Sequence, residues 1–275
     1  MVKRLAPCLA IALAACTQAP AREVGREFPT IVSLNPCTDA ILAEVADPQQ
    51  ILALSAYSSD PASSSMEVAK ARQFPAVAGT VEEVAALRPD LVVGGTFMAP
   101  ATVTALGGMG FRLEQFGIAP TVGESEAQVR RLAALAGHPE RGEALVAEIE
   151  AVLAANRAPA GPPVPAIVWQ SGGIVPGSDT LISDLLARTG FTNAAAARGM
   201  KQADVLPLEL MLIAPPRVIF TAGSRFSEED RLLRHPALAH LTDTRREPLS
   251  PALLWCGGPT IVRAATRLGD VRRSL

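Results

Sequence analysis

One arrangement occurs twice in this chain and limits the folds open to it. A short helix opened by a glutamate is followed, seven positions on, by a proline with a β-rich strand behind it. In the first half it reads Glu82-Glu83-Val84-Ala85-Ala86-Leu87-Arg88-Pro89-Asp90-Leu91-Val92, and in the second Glu209-Leu210-Met211-Leu212-Ile213-Ala214-Pro215-Pro216-Arg217-Val218-Ile219. Between the two lies a helical region, Glu126–Ala136, broken at Gly137-His138-Pro139. A second helix then runs from Glu140 to about Asn156, with Leu145, Ile149, Val152 and Leu153 as its apolar stripe. The Pro- and Gly-rich run 157–163 stops it. The simplest expectation is two lobes of like construction joined by one long helix.

Around that frame, β-rich runs alternate with helical ones. The expected strands are Ile31–Leu34, Ile51–Leu54, Leu91–Val93, Arg112–Phe116, Ala166–Trp169 and Val218–Thr221. Helices are expected at Asp39–Val45, Val81–Leu87, Thr180–Thr189, Leu208–Ile213 and Thr260–Leu268. Thr80-Val81-Glu82-Glu83 has the form of a capping box, which commits Glu83 to the backbone of Thr80. The fold class is therefore α/β: two Rossmann-like lobes with mostly parallel sheets on a single backbone helix. The expected divisions are a leader and tether at 1–21, a first lobe at 28–136, a linking helix at 137–157 and a second lobe at 164–275.

With 275 residues, 49% hydrophobic and 19% charged, the chain can bury an ample core. A formal net charge of -2 and no basic stripe exclude nucleic acid as a partner. Lys3 and Arg4 precede an apolar run, Leu5–Ala15, too short to span a bilayer, which reads as a secretory signal. Its end, Leu13-Ala14-Ala15-Cys16, resembles a bacterial lipobox with Cys16 as the lipidated residue; ordinary cleavage after Ala19-Pro20-Ala21 is the competing reading. Either implies export. Cys37 and Cys256 then remain as thiols in an oxidising compartment, free to pair, to act as soft ligands or to stay unpaired.

Several stretches in order resemble a known family. Ile31-Val32-Ser33-Leu34-Asn35-Pro36, Leu54-Ser55-Ala56-Tyr57-Ser58-Ser59-Asp60-Pro61 and Ala86-Leu87-Arg88-Pro89-Asp90-Leu91-Val92 are joined by Pro176-Gly177-Ser178-Asp179-Thr180-Leu181 and Gly190-Phe191-Thr192-Asn193. Together they resemble the helical-backbone periplasmic binding proteins, which include the vitamin B12, ferric-siderophore and haem binders. The resemblance implies a ligand held between two lobes with little hinge closure, delivered to an ABC importer. It also implies that one glutamate on each lobe, Glu82 and Glu209 here, docks on arginines of the permease. Two exposed carboxylates at equivalent places suit a pseudo-symmetric basic partner, although each could instead complement only its own helix dipole.

Ligands of open α/β sheets bind beyond the carboxyl ends of the strands. That rule selects loops carrying Asn35, Tyr57, Phe97, Ser171, Arg225 and Trp255 as ligand contacts. Tyr57 is the sole tyrosine, and in the resembled B12 binder the matching motif carries a ligand-contacting tyrosine. Trp169, Trp255, Phe97 and Phe226 are candidates for a broad apolar cleft or for core. Where that B12 binder has further tryptophans, this chain has Ala76, Gly95 and Ala203, so the expected ligand stays open among a corrinoid, haem and a ferric siderophore. His138, His235 and His240 show no zinc-like spacing, so no metal site is expected. No cofactor is expected, and the chain is expected to be a periplasmic monomer on a lipid anchor.

Two other classes stay open. An enzyme on a doubly wound fold finds little support, since there is no Gly-x-Ser-x-Gly elbow and Gly107-Gly108-Met109-Gly110 lacks dinucleotide-loop spacing. A tethered scavenger or sensor that never meets an importer is the other.

Overall fold

The computed structural model describes residues 27–158, 160–223 and 230–275. The leader, Cys16, Arg225 and Phe226 lie outside the described residues. The first lobe comprises β1 (Ile31–Ser33), α1 (Pro36–Val45), β2 (Ile51–Ser55), α2 (Val68–Ala71), β3 (Ala76–Val77), α3 (Val81–Leu87), β4 (Leu91–Gly95), α4 (Pro100–Gly108) and β5 (Leu113–Phe116). Helices α5 (Val122–Ala136) and α6 (Pro139–Ala155) follow. The second lobe comprises β6 (Val164–Gln170), β7 (Ile174–Pro176), α7 (Leu181–Arg188), β8 (Phe191–Asn193), β9 (Ala203–Val205), α8 (Leu208–Ile213), β10 (Val218–Ala222), β11 (Arg245–Pro248) and α9 (Thr260–Arg273).

Each lobe is built on its own parallel sheet, ordered β3-β2-β1-β4-β5 in the first and β11-β10-β6-β8 in the second. The orders superpose: β2-β1-β4-β5 corresponds to β8-β6-β10-β11, with the opening strand and the strand behind the repeated helix adjacent at each centre. A two-stranded antiparallel ribbon, β7 with β9, is added to the second lobe alone. Central strands covered on both faces read as continuous apolar runs, and Ile31-Val32 and Val218-Ile219-Phe220 are fully buried.

Local signals explain the starts of α1, α3 and α5. Asn35 caps α1, its Oδ1 accepting the Cys37 and Thr38 amides, and Pro36 occupies the first turn, so α1 begins earlier than apolar spacing indicates. Thr121 likewise caps α5 through the Glu124 amide, moving its start to Val122. In the Thr80 box, Glu83 Oε2 accepts the Thr80 amide at 3.0 Å while Thr80 Oγ1 accepts the Glu83 amide at 3.3 Å. The Thr80 amide foremost, with those of Ala78 and Gly79, holds the Glu83 carboxyl below its ordinary range.

Helix α6 touches both lobes. Its 17 residues extend about 26 Å. At its start, His138 Nε2 meets Gln50 Oε1 at 2.9 Å and Arg141 pairs with Asp47 at 2.7 Å, both partners in the first lobe. At its end, Asn156 Oδ1 accepts from Arg273 of α9 at 2.9 Å.

Candidate functional site

In a parallel sheet every connection leaving a strand's carboxyl end emerges on the same edge, and here the two edges face each other. The loops after β1, β4 and β5 meet the end of β6, the start of α7 and the turn before α9 around one cleft of about 330 Å³. Asn35, Phe97 and Ile118 stand on the first-lobe wall; Gln170, Gln202 and Trp255 stand on the second. A larger hollow of about 910 Å³ lies beside β10 and β11 and draws no residue from the first lobe. The shared cleft is the stronger candidate because both halves of the repeat build it.

The floor of the cleft ties the lobes together. Cys37, in the first turn of α1, and Cys256, ahead of α9, form a disulfide with Cα atoms 5.0 Å apart. Beside it, the Gly258 amide donates to Ser125 Oγ of α5 at 2.7 Å. Gly258 has φ +59°, and a Cβ there would stand 2.6 Å from Ile41 Cγ1, so glycine is what lets this turn lie flush on α1. Further ties run from the Val122 amide to Asp184 Oδ2 at 2.8 Å, from Thr260 Oγ1 to the Ser65 carbonyl at 3.2 Å and from Arg263 to Glu67 at 2.8 Å.

The residues expected at the site are spread unequally around it. Asn35, Phe97 and Trp255 line the cleft; Phe97 is 81% exposed and Trp255 43%, so both offer apolar surface to an incoming molecule. Tyr57, 62% exposed, is not among the lining residues; it stands on the loop after β2, at the same sheet edge. Ser171 is also not among the lining residues, its Oγ donating to Asp230 Oδ1. Trp169 is fully buried with Ile167 and Ile219 in the second-lobe core, because alternate residues of β6 share the covered face. The indole is therefore core, not cleft wall, and its Nε1 has no hydrogen-bond partner among the described residues.

Gly95 and Ala203 line the cleft, while Ala76 lies in β3 outside it. Sequence reasoning missed Gln128, Gln202 and Ile118. Gln202 reaches the wall through the β7–β9 ribbon, whose three-residue strands leave no usable period; Ile118 lies in an irregular turn; only Gln128, on a helix already expected, carried a local signal.

Behind the wall, α1 holds the Tyr57 loop. Asp39 is fully buried, and its Oδ2 accepts the Ser55 amide at 3.0 Å and Ser58 Oγ at 2.6 Å. Burial pushes the carboxyl up to about 8, against the pull of Ser33, Ser58 and the Ser55 amide. Ser33 acts from longer range, since its Oγ pairs with Thr38 Oγ1 at 2.8 Å and Asp39 Oδ1 has no hydrogen-bond partner among the described residues.

Glu82 and Glu209 are both exposed, each at the second position of its helix and nine residues ahead of the first residue of a central strand. Pro89 and Pro216, which follow them, are both buried. Since α3 and α8 run back against β4 and β10, both helix starts lie at the carboxyl edges of the sheets, on the side of the cleft. Among the described residues, no group of His, Cys, Asp and Glu could hold a metal ion, and no helix is long and apolar enough to cross a membrane.

Known structures share this architecture. The periplasmic heme-binding protein RhuT from Roseiflexus sp. RS-1, in apo form, aligns with a TM-score of 0.71 at 24% identity, over 89% of this chain and 97% of that one. The periplasmic heme-binding protein HutB of Vibrio cholerae aligns at 0.73 and 17% identity, covering 88% and 98%. The periplasmic vitamin B12-binding protein BtuF of Vibrio cholerae aligns at 0.66 and 19%, covering 90% and 97%. At these identities the likeness is one of fold. No curated protein matches the chain in sequence. The periplasmic binding protein family model matches residues 31–246, a span that carries all the strands but the end of β11 and most of the cleft lining, and the chain belongs to that family.

Proposed function

We propose that this chain is the extracytoplasmic substrate-binding lipoprotein of an ABC importer, anchored through Cys16 and working as a periplasmic monomer. It captures a bulky metal chelate, whether a corrinoid, haem or a ferric siderophore, in the interlobe cleft and docks on its permease through Glu82 and Glu209. The observation that carries this reading is the cleft built from the carboxyl edges of both sheets. Proteins sharing the fold bind heme and vitamin B12, which supports a chelate as cargo. Tyr57, Phe97, Asn35 and Trp255 contact it, with Ser171 and Arg225 as the remaining proposed contacts. The role is binding, not catalysis, in keeping with the family.

The two glutamates divide this reading from that of a scavenger. In cells dependent on the chelate, Glu82→Ala with Glu209→Ala abolishes uptake while the purified variant binds as tightly as the parent. Unimpaired uptake would refute the docking role.

A further inference from the structure

We infer that the cargo of the cleft carries no net negative charge and is held through carboxamides on its rim, as a corrinoid presents, rather than through carboxylates or phenolates. The inference rests on the chelate-binding reading and narrows it. Among the described lining residues there is no lysine, arginine or histidine, and the one charged side chain is the carboxylate of Asp179. Against this described wall an anion loses hydration, gains no cationic partner and meets a like charge, so any cation it paired with would have to be Arg225, outside the described residues.

The polar lining consists largely of amides. Asn35 spends its Oδ1 on capping α1, so its Nδ2 is the donor left for a ligand. Gln128 spends its Nε2 on the Gly117 carbonyl at 2.8 Å, so its Oε1 is the acceptor left. Gln170 and Gln202, on the opposite lobe, each carry both functions. A carboxamide, with one carbonyl and one NH2 group, satisfies such a set in either direction. A carboxylate or a deprotonated catechol accepts only, and leaves the Gln128 oxygen unmatched. Gly95 fits the same picture: a Cβ there would stand 2.7 Å from Asn35 Nδ2, so the missing side chain keeps that donor in place.

Titration of the full chain with three probes of graded charge tests this, with tryptophan fluorescence as the signal. Dicyanocobinamide, neutral and rimmed with amides, is expected to bind at least about tenfold tighter than hemin or a ferric tris-catecholate. Gln202→Lys, at an exposed position, is expected to strengthen hemin binding about fivefold and to leave dicyanocobinamide no tighter. Hemin or the tris-catecholate binding tighter than dicyanocobinamide would overturn the inference. So would hemin binding of equal strength that Arg225→Ala removes, since the cation would then come from Arg225. If none of the three probes binds, the chelate-binding reading itself falls, and this one with it.

Discussion

Cys37 and Cys256 are 219 residues apart in sequence and covalently joined at the floor of the cleft, one from each lobe. A crosslink closing so long a loop removes much of the unfolded chain's freedom, and by the chain-entropy account it stabilises the native state by about 5 kcal/mol. Cys37→Ser with Cys256→Ser should therefore lower the urea midpoint substantially in equilibrium unfolding. An unchanged midpoint would show that the polar ties around Ser125 and Arg263 hold the lobes unaided.

Asp39 makes stability depend on pH. Its carboxyl titrates near 8 when folded against 3.8 as the ordinary value, so the folded chain holds a proton that the unfolded chain releases. The stability linked to that proton is fully present below about pH 4 and is lost as pH rises to about 8. Asp39→Asn keeps a neutral group there. Relative to the parent, the variant should gain stability between pH 5 and pH 9 in urea denaturation, and a constant difference across that range would contradict the assignment.

Ser125 is expected to matter more than its size. Its hydroxyl accepts the buried Gly258 amide, and removing it leaves that donor without a protein partner. Ser125→Ala should cost about 1–3 kcal/mol and show as a lower Tm. A neutral outcome would mean that water replaces the hydroxyl at the turn.

The two tryptophans should behave oppositely. Trp255→Ala removes exposed apolar surface from the cleft wall and is expected to weaken dicyanocobinamide binding about tenfold or more with little change in Tm. Trp169→Phe changes a core side chain, so stability should fall while affinity holds. Equal effects of both on affinity, measured by calorimetry, would place Trp169 nearer the ligand than its burial allows.

Much of the architecture could be read from residue order. The repeated helix, proline and strand were legible because Val81–Leu87 and Leu208–Ile213 carry their own start and stop signals, and both helices have those bounds. β11 was not legible: Arg245-Arg246-Glu247-Pro248 is an edge strand of charged residues, held through pairing with β10 and not through a buried face. α4 was hidden for a different reason, since Pro100–Gly108 contains glycine and threonine in place of good helix formers. The cleft loops after β1 and β4 followed from strand direction alone. Its amide lining did not, because Gln128 and Gln202 come together through packing between lobes that no local pattern encodes.

The carboxyl edges of the two sheets face each other across the cleft, and the starts of α3 and α8 lie at those edges. On the proposed reading one doorway would serve two purposes, since the side open to cargo is also the side that presents Glu82 and Glu209. A body large enough to touch both carboxylates at once would roof the opening, so loading and unloading become separate acts, ordered in time by geometry alone. A carrier docked in that way would arrive already filled, and would have to leave before it could be filled again.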